Sequence, residues 1–184
     1  MDPGVERLAP DDETLAAELV RLINRAYARG EAGLWREPLG RTDETEIAEA
    51  IRAGQMLVAT VGDRIVGCLR TRALDATTAD LGLIGVELGA WGGGIGRALV
   101  EAAENLARSR GATTMRLELL VPRTGTHPDK ERLREWYTRR GYTVARKVPF
   151  EDYVPHAAPF LSAPGDILVF TKPLPQPTKG AWPP

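Results

Sequence analysis

Apolar residues recur at two different spacings along the chain, and the change of spacing separates predicted helices from predicted strands. Between Leu15 and Ile23 they fall on one helical face, which predicts a helix that begins at Asp11 or Asp12 and ends at Gly30. From residue 56 onwards the pattern changes to short β-branched runs, which are typical of strands. The N-terminal part is therefore expected to be helical, and the middle of the chain to begin a sheet.

The same reasoning predicts the remaining elements in order. They begin with a strand at Val5–Leu8, a second helix that starts near Thr42 or Asp43 and ends by Gly54, and a hairpin of strands 56–61 and 64–70 around Gly62-Asp63. A strand at 80–88, a helix closed by Gly111, a strand at 114–121, a helix at 129–140, and strands at 142–148 and 166–172 follow. We interpret residues 1–172 as one mixed α/β domain. Residues 173–184 hold five of the 14 prolines and are expected to form a poorly ordered tail.

Composition excludes several classes of function. A single cysteine, Cys68, cannot form an internal disulfide, and with only two histidines the sequence offers no Cys/His cluster for a metal. The 24 basic and 25 acidic residues give a net charge of -1, which does not favour a nucleic-acid or membrane partner. The sequence shows neither a secretory signal nor a run of about 18 apolar residues, so a cytoplasmic location is expected.

Six of the 19 glycines lie between Gly85 and Gly96, where a predicted strand meets a helix. Glycines let a ligand approach the backbone, and the unpaired N–H groups of a helix N-terminus bind phosphates well. The alternative is a tight turn without a ligand. A Walker A loop is excluded because Arg97-Ala98 replaces Lys-Ser/Thr, and a dinucleotide fingerprint does not fit behind an antiparallel hairpin.

The motifs resemble the GCN5-related N-acetyltransferase (GNAT) family. Gly94-Ile95-Gly96, preceded by Gly92, matches the glycines of the coenzyme A signature. Leu117-Glu118-Leu119 resembles the fifth strand of the family, and residues 136–142 resemble its Phe-Tyr-x-x-x-Gly-Phe segment. The resemblance implies a mostly antiparallel sheet of six or seven strands with about four helices. It also implies transfer of an acetyl group from acetyl-CoA to an amine, without a metal.

The resemblance assigns the coenzyme A contacts to the glycine turn. The residues are Val86, Leu88, Trp91, Gly92, Gly93, Gly94, Ile95, Gly96 and Arg97. The Val86 N–H is expected to polarise the acetyl carbonyl. Trp91 departs from the family, because it stands where Arg or Gln is usual and removes one polar contact to the pyrophosphate.

Direct attack by an amine needs a base for the ammonium proton and an acid for the leaving thiolate. Tyr137 matches the family tyrosine that faces the sulfur, and we predict it as the acid. Glu118, Asp80 and ordered water remain alternatives for the base. Glu87 has the opposite strand parity to Asp80, so it competes only if a bulge shifts the register.

The acceptor site is expected between the loop at 30–41 and the segment at 150–164. Trp35, Tyr153 and Phe160 would supply an apolar or aromatic wall. Glu31, Glu37, Glu151 and Asp152 could attract a cationic amine, and the alternative is that they are solvated loop charges. The sequence leaves open whether the acceptor is a small molecule or a protein amine, and dimers are common in the family. The rival hypotheses are a non-catalytic coenzyme A-binding module and an interaction domain whose glycine turn is only structural.

Overall fold

The computed structural model of the protein describes residues 4–37, 40–90 and 92–175. Seven strands form one sheet in the order β1-β2-β3-β4-β5-β7-β6. The strands are β1 (Gly4–Arg7), β2 (Met56–Val61), β3 (Arg64–Ala73), β4 (Thr78–Val86), β5 (Thr114–Pro122), β6 (Thr143–Pro149) and β7 (Gly165–Pro173). All neighbours pair antiparallel except β4 and β5, which are parallel.

Five helices accompany the sheet, one more than the sequence predicts. They are α1 (Ala16–Gly30), α2 (Glu44–Arg52), α3 (Ile95–Ser109), α4 (Pro128–Arg139) and the single turn α5 (Phe150–Tyr153). The Asp43 side chain caps α2 by accepting from the Glu46 N–H, as the acidic start of that helix indicates. The mixed, mostly antiparallel fold class is confirmed. None of the helices in the described ranges is long and apolar enough to cross a membrane.

The folded domain continues past the predicted boundary at residue 172. Pro173 still belongs to β7, and the Leu174 side chain is 1% exposed in the main core. The Leu174 N–H also donates to the Thr113 carbonyl at 2.7 Å. The domain thus includes at least these two residues of the predicted tail, and residues 176–184 lie outside the described ranges.

The two faces of the sheet carry different layers. Helices α3 and α4 pack on one face through the largest apolar cluster, which includes Leu99, Leu117 and Tyr137. Helices α1 and α2 cover β2, β3 and β4 on the opposite face, and the segment from α5 to Leu161 covers β5 and β7 beside them. Polar strand residues lie on this second face between the two apolar clusters. We call it the acceptor face, because both predicted acceptor segments adjoin it.

Strands β4 and β5 separate soon after they begin. They pair only at three positions, the last of which joins Asp80 to Arg116, whereas β5 pairs with β7 along its whole length. Strand β4 also carries a bulge opposite Leu69, where the Leu83 backbone takes a φ of 47°. A bulge bends its strand and interrupts the pairing. The separated C-terminal halves of β4 and β5 form an open fork in the sheet.

Two strand glycines are explained by helix packing. A Cβ on Gly85 would lie 2.5 Å from Leu22 Cδ2 and 3.3 Å from the Ile23 Cα in α1. A Cβ on Gly67 would lie 2.8 Å from Ile95 Cγ2 in α3. The sequence associates Gly85 with the ligand strand, but the close neighbour in the structure is α1.

Candidate active site

The glycine turn places the α3 N-terminus beside the end of β4. A short 3-10 turn at Leu88–Ala90 follows the strand, and Gly92 and Gly94 have φ angles of 83° and 80°. These left-handed conformations explain why glycine is needed there, since a Cβ at either position would meet no atom within 4 Å. Gly94 is the N-cap of α3, so the first-turn N–H groups face the space at the turn. Trp91 lies outside the described residues.

The remaining turn residues have distinct surroundings. Leu88 is 56% exposed, whereas Ile95 is buried in the main core. A Cβ on Gly96 would be in ordinary contact with Val86 and Trp136. The structure therefore brings the described residues of the predicted coenzyme A set, which leave out Trp91, to the end of β4 and the turn that follows it, with the Ile95 side chain buried.

A basic groove of about 330 Å³ opens between α3 and α4 beside this turn. Arg97, Glu101, Trp136, Arg139 and Arg140 line it. The Glu101 carboxylate pairs with Arg97 at 2.8 Å and with Arg140 at 3.5 Å, and the Arg140 guanidinium lies over the Trp136 ring. Three arginines and one carboxylate leave the groove positively charged, which suits a phosphate group next to the helix N-terminus.

Tyr137 is buried on the opposite side of the fork from α1. Its ring packs against Trp136, Tyr142 and Phe170, and it is 4% exposed. Burial is the main reason that the Tyr137 pKa is raised, and Tyr27 of α1 raises it further. The Tyr137 hydroxyl has no hydrogen-bond partner among the described residues and stays protonated at neutral pH.

Glu118 lies on the acceptor face, two residues along β5 from Arg116, which forms the last pair with β4. Its Oε1 accepts hydrogen bonds from the Arg116 guanidinium and from the Tyr153 hydroxyl, and Arg116 also contacts that hydroxyl. No side-chain hydrogen bond to Oε2 is present in the described part of the chain. Glu118 is thus held in place by two donors while one carboxylate oxygen remains available.

Asp80 lies at the vertex of the fork, where β4 and β5 are still paired. It is 9% exposed, its Oδ2 is 3.8 Å from the Arg72 Nε, and its buried Oδ1 has no partner among the described atoms. Burial raises the pKa of Asp80, although Arg116, Arg72 and Arg70 act in the opposite direction. Since the strands are closed here, Asp80 is less well placed than Glu118 to reach a group inside the fork.

Replacement of Asp80 by asparagine is expected to raise the free energy of unfolding at pH 7. A carboxyl whose pKa is raised by folding binds its proton more tightly in the native state, so wild-type stability rises as the pH falls through that pKa. The advantage of Asp80→Asn should therefore shrink between pH 7 and pH 4. Urea unfolding of both proteins across that range tests this, and a variant that is less stable at pH 7 would contradict it.

The bulge in β4 also reverses the predicted parity of Glu87. Because two β4 residues oppose one β3 residue, Glu87 lies on the same face as Asp80. Its carboxylate pairs with Arg25 at 3.5 Å and with Arg64 at 3.2 Å. Because the bulge shifts the register, Glu87 is also a candidate for the base. Two arginines, however, compensate its charge.

The two predicted acceptor segments pair with each other. Trp35 forms a β-bridge with Leu161, the Arg36 N–H donates to the Phe160 carbonyl at 2.9 Å, and the Trp35 ring contacts Phe150 edge-on at 5.8 Å. Residues 38 and 39 of the first segment lie outside the described ranges. These contacts form one wall of the acceptor face.

Two predicted acidic contacts are already engaged within the protein. Glu151 pairs with Arg123 at 2.7 Å, which lowers the Glu151 pKa through that hydrogen bond and compensates its charge. Glu31 is 8% exposed and accepts from the Lys130 Nζ at 2.8 Å and the Trp35 Nε1 at 2.6 Å. Glu31 therefore connects the end of α1 to α4 across the fork and is not a solvated loop charge.

Several residues near the site were not selected from the sequence. Arg41 stacks on Tyr27 at 5.1 Å, and Arg116 and Arg140 take the positions described above. The alternation in Arg116-Leu117-Glu118 could have revealed Arg116, because period two places it on the same face as Glu118. No local pattern connects Tyr27 with Arg41 or Arg140 with the groove.

Comparison with known proteins identifies the fold and the family. A sequence model of the acetyltransferase (GNAT) family matches residues 17–142, which is more than half of the chain. The chain belongs to the GNAT acetyltransferase family. The resemblance seen in the sequence is confirmed, and the protein is an N-acetyltransferase with acetyl-CoA as its co-substrate. No curated protein matches the sequence significantly.

Solved structures show the same fold at low sequence identity. One is yncA from Salmonella typhimurium with its cofactor acetyl-CoA, at 15% identity, covering 100% of both chains, with a TM-score of 0.68. An aminoglycoside 6'-N-acetyltransferase complexed with coenzyme A has 17% identity, covers 95% of this GNAT chain and 99% of its own, and has a TM-score of 0.72. The ribosomal-protein-S18-alanine N-acetyltransferase from Escherichia coli has 16% identity, coverages of 98% and 99%, and a TM-score of 0.65.

Proposed function

We propose that this GNAT enzyme transfers the acetyl group by direct attack of an amine on the thioester, inside the fork between β4 and β5. The observation that carries the proposal is the arrangement of Tyr137 and Glu118 on opposite faces of the open fork. An acid on one side and a carboxylate on the other match the two proton transfers that aminolysis requires. The proposal assigns no covalent enzyme intermediate.

Aminolysis needs a base on one face of the fork and an acid on the other. Glu118 takes a proton from the ammonium form of the acceptor, directly or through one water, and the neutral amine nitrogen attacks the carbonyl carbon. As the C–S bond breaks, the Tyr137 hydroxyl donates its proton to the coenzyme A sulfur, and the second proton of the attacking nitrogen passes through water to the Tyr137 phenolate. The products are the N-acetylated amine and coenzyme A, and Glu118 releases its proton to solvent.

The coenzyme would bind with its phosphates on the face of the sheet that carries α3 and α4. The α3 N-terminus at Gly94–Gly96 supplies N–H donors and the helix dipole for the pyrophosphate. Arg139 and Arg140 in the groove between α3 and α4 would attract the remaining phosphate. Arg97 and Arg140 would then exchange part of their pairing with Glu101 for the phosphate of the ligand.

The choice of Glu118 over Asp80 follows from the strand geometry. A strand advances about 3.3 Å per residue, so Glu118 lies about 6.6 Å beyond the vertex at Arg116, where the fork is open. Asp80 lies at the vertex itself. The two contacts to Glu118 Oε1 fix the carboxylate and leave Oε2 for the acceptor.

Replacement of Glu118 by glutamine is expected to lower kcat about 100-fold at pH 7, the usual effect of losing a general base. Glutamine keeps an oxygen for Arg116 and Tyr153, so the change removes the base with little structural loss. The deficit should shrink as the pH approaches the pKa of the acceptor amine, because the amine then loses its proton without help. Thiol release from acetyl-CoA, followed across pH 6.5–10, measures both effects.

Glu49→Gln, on the exposed surface of α2, provides the matched control and should retain wild-type kcat. Asp80→Asn, assayed in parallel, tests the alternative base. A Glu118→Gln enzyme with unchanged kcat, or a larger pH-dependent loss in Asp80→Asn, would refute the assignment to Glu118.

A further inference from the structure

The polar residues of the acceptor face form a band between its two apolar clusters, and the exposed Arg146 extends it beyond β7 to the edge strand β6. The strands contribute Arg70, Arg72, Asp80, Arg116, Glu118 and Arg146, and α2 adds Glu46. Arginine outnumbers the carboxylates in this band. The acceptor of the proposed reaction must enter next to these charges, so their balance constrains its chemistry.

Each carboxylate of the band is already opposed by an arginine. Glu46 pairs with Arg70 at 2.6 Å, and Asp80 lies 3.8 Å from Arg72. Glu118 is bound by Arg116. A substrate with several cationic groups would therefore have to displace arginines and would still face their charge.

Arg146 differs from the other arginines of the band in its partner. Its guanidinium lies over the Tyr153 ring, 5.9 Å from the centroid, and it has no carboxylate partner among the described residues. The same Tyr153 hydroxyl contacts Glu118 and Arg116. The immediate surroundings of the proposed base thus carry two arginines and one carboxylate, which leaves one positive charge uncompensated.

The Glu118 carboxylate and the Arg146 guanidinium together complement an acceptor that has an anionic group close to its amine. Glu118 Oε2 can accept a proton from the amine, and the Arg146 guanidinium can receive a carboxylate through its planar set of donors. Arg146 opposes Val169 on β7, which fixes the strand position from which its side chain reaches Tyr153. Both groups meet at Tyr153, so the two charges of the acceptor would be close together.

We propose that the acceptor is an amine that carries a carboxylate near the reacting nitrogen, such as a free amino acid or short peptide, and that Arg146 binds this carboxylate. This inference rests on the proposed acetyl transfer and specifies its acceptor. Arg146 acts as a specificity-determining residue, and Tyr153 positions both its guanidinium and the Glu118 carboxylate. Polyamines and aminoglycosides lack the anion and are poor acceptors.

The test compares each common L-amino acid with its own C-terminal amide as an acceptor for the purified protein. The pair differs in the carboxylate, and the amide has the more easily deprotonated amine. If the anion had no effect, the amide would react faster. We expect kcat/KM for the best acid to exceed that of its amide at least about tenfold, which corresponds to one charge-assisted contact. Spermidine and an aminoglycoside complete the panel.

The Arg146→Gln variant should lose this preference mainly through a higher KM for the acid, so that the ratio of kcat/KM for the acid to that for its amide falls. Arg21→Gln removes the same charge from the exposed side of α1 and is the matched control. Equal use of acid and amide by the wild type, a preference for the polycations, or an unchanged ratio in Arg146→Gln would overturn the inference and leave acetyl transfer intact. Absence of any acetylated amine, with acetyl-CoA bound, would overturn both.

Discussion

Replacing Tyr137 with phenylalanine is expected to lower kcat about 100-fold while acetyl-CoA affinity changes little. The hydroxyl has no partner among the described residues and stays protonated because burial raises its pKa, so its removal costs a proton donor and no internal contact. The ring remains packed against Tyr142 and Phe170 in the variant. Steady-state kinetics and calorimetric titration with acetyl-CoA separate the two effects.

Tyr142→Phe provides the matched control. The Tyr142 hydroxyl donates to the buried Glu104 carboxylate at 2.9 Å, and Glu104 belongs to α3. Removing this hydroxyl should reduce the free energy of unfolding by about 1.5–3 kcal/mol, as expected for a bond to a charged group, without affecting kcat. We thus expect Tyr137→Phe to lower turnover and Tyr142→Phe to lower stability. If Tyr137→Phe kept wild-type kcat, the acid role would be wrong.

Lys130→Met is expected to reduce the free energy of unfolding by about 3 kcal/mol. Lys130 and Glu31 are 3% and 8% exposed, and their ion pair connects α4 to the end of α1. Removing one partner of a buried pair leaves an uncompensated charge in a poorly solvated place, which is why the cost is large. Chemical denaturation measures it.

Two further variants show whether the lost charge is the cause. In the Glu31→Gln/Lys130→Met double variant no lone carboxylate remains, so it should be more stable than Lys130→Met alone. Arg52→Met breaks the exposed pair with Glu13 and should change stability by less than about 1 kcal/mol. A double variant no more stable than Lys130→Met would contradict the role of the buried charge.

Local sequence patterns predict the elements of this fold well, because each depends on neighbours in the chain. The hairpin around Gly62 and the turn before α3 follow from residues that are adjacent in sequence. The fork does not, since it depends on a bulge at Leu83 and on how far β4 and β5 stay paired. That bulge also explains why the predicted parity of Glu87 is wrong.

The electrostatic part of the site is harder to predict for the same reason. Glu31 and Lys130 are 99 positions apart, and the sequence gives no sign that the loop carboxylate is buried against α4. Tyr153 and Glu118 meet only because β5 and β7 bring α5 next to the fork. Residue types near the acceptor could be chosen from the sequence, but their partners required the fold.

Amine acetylation within the fork is tested by incubating the protein with acetyl-CoA and the amine panel and measuring free coenzyme A and acetylated amine together. We expect equal amounts of both products, formed far faster than without protein, and a rate that falls about 100-fold in Tyr137→Phe. Acetyl-CoA that binds but yields no acetylated amine would contradict this expectation and would favour a non-catalytic coenzyme A-binding module.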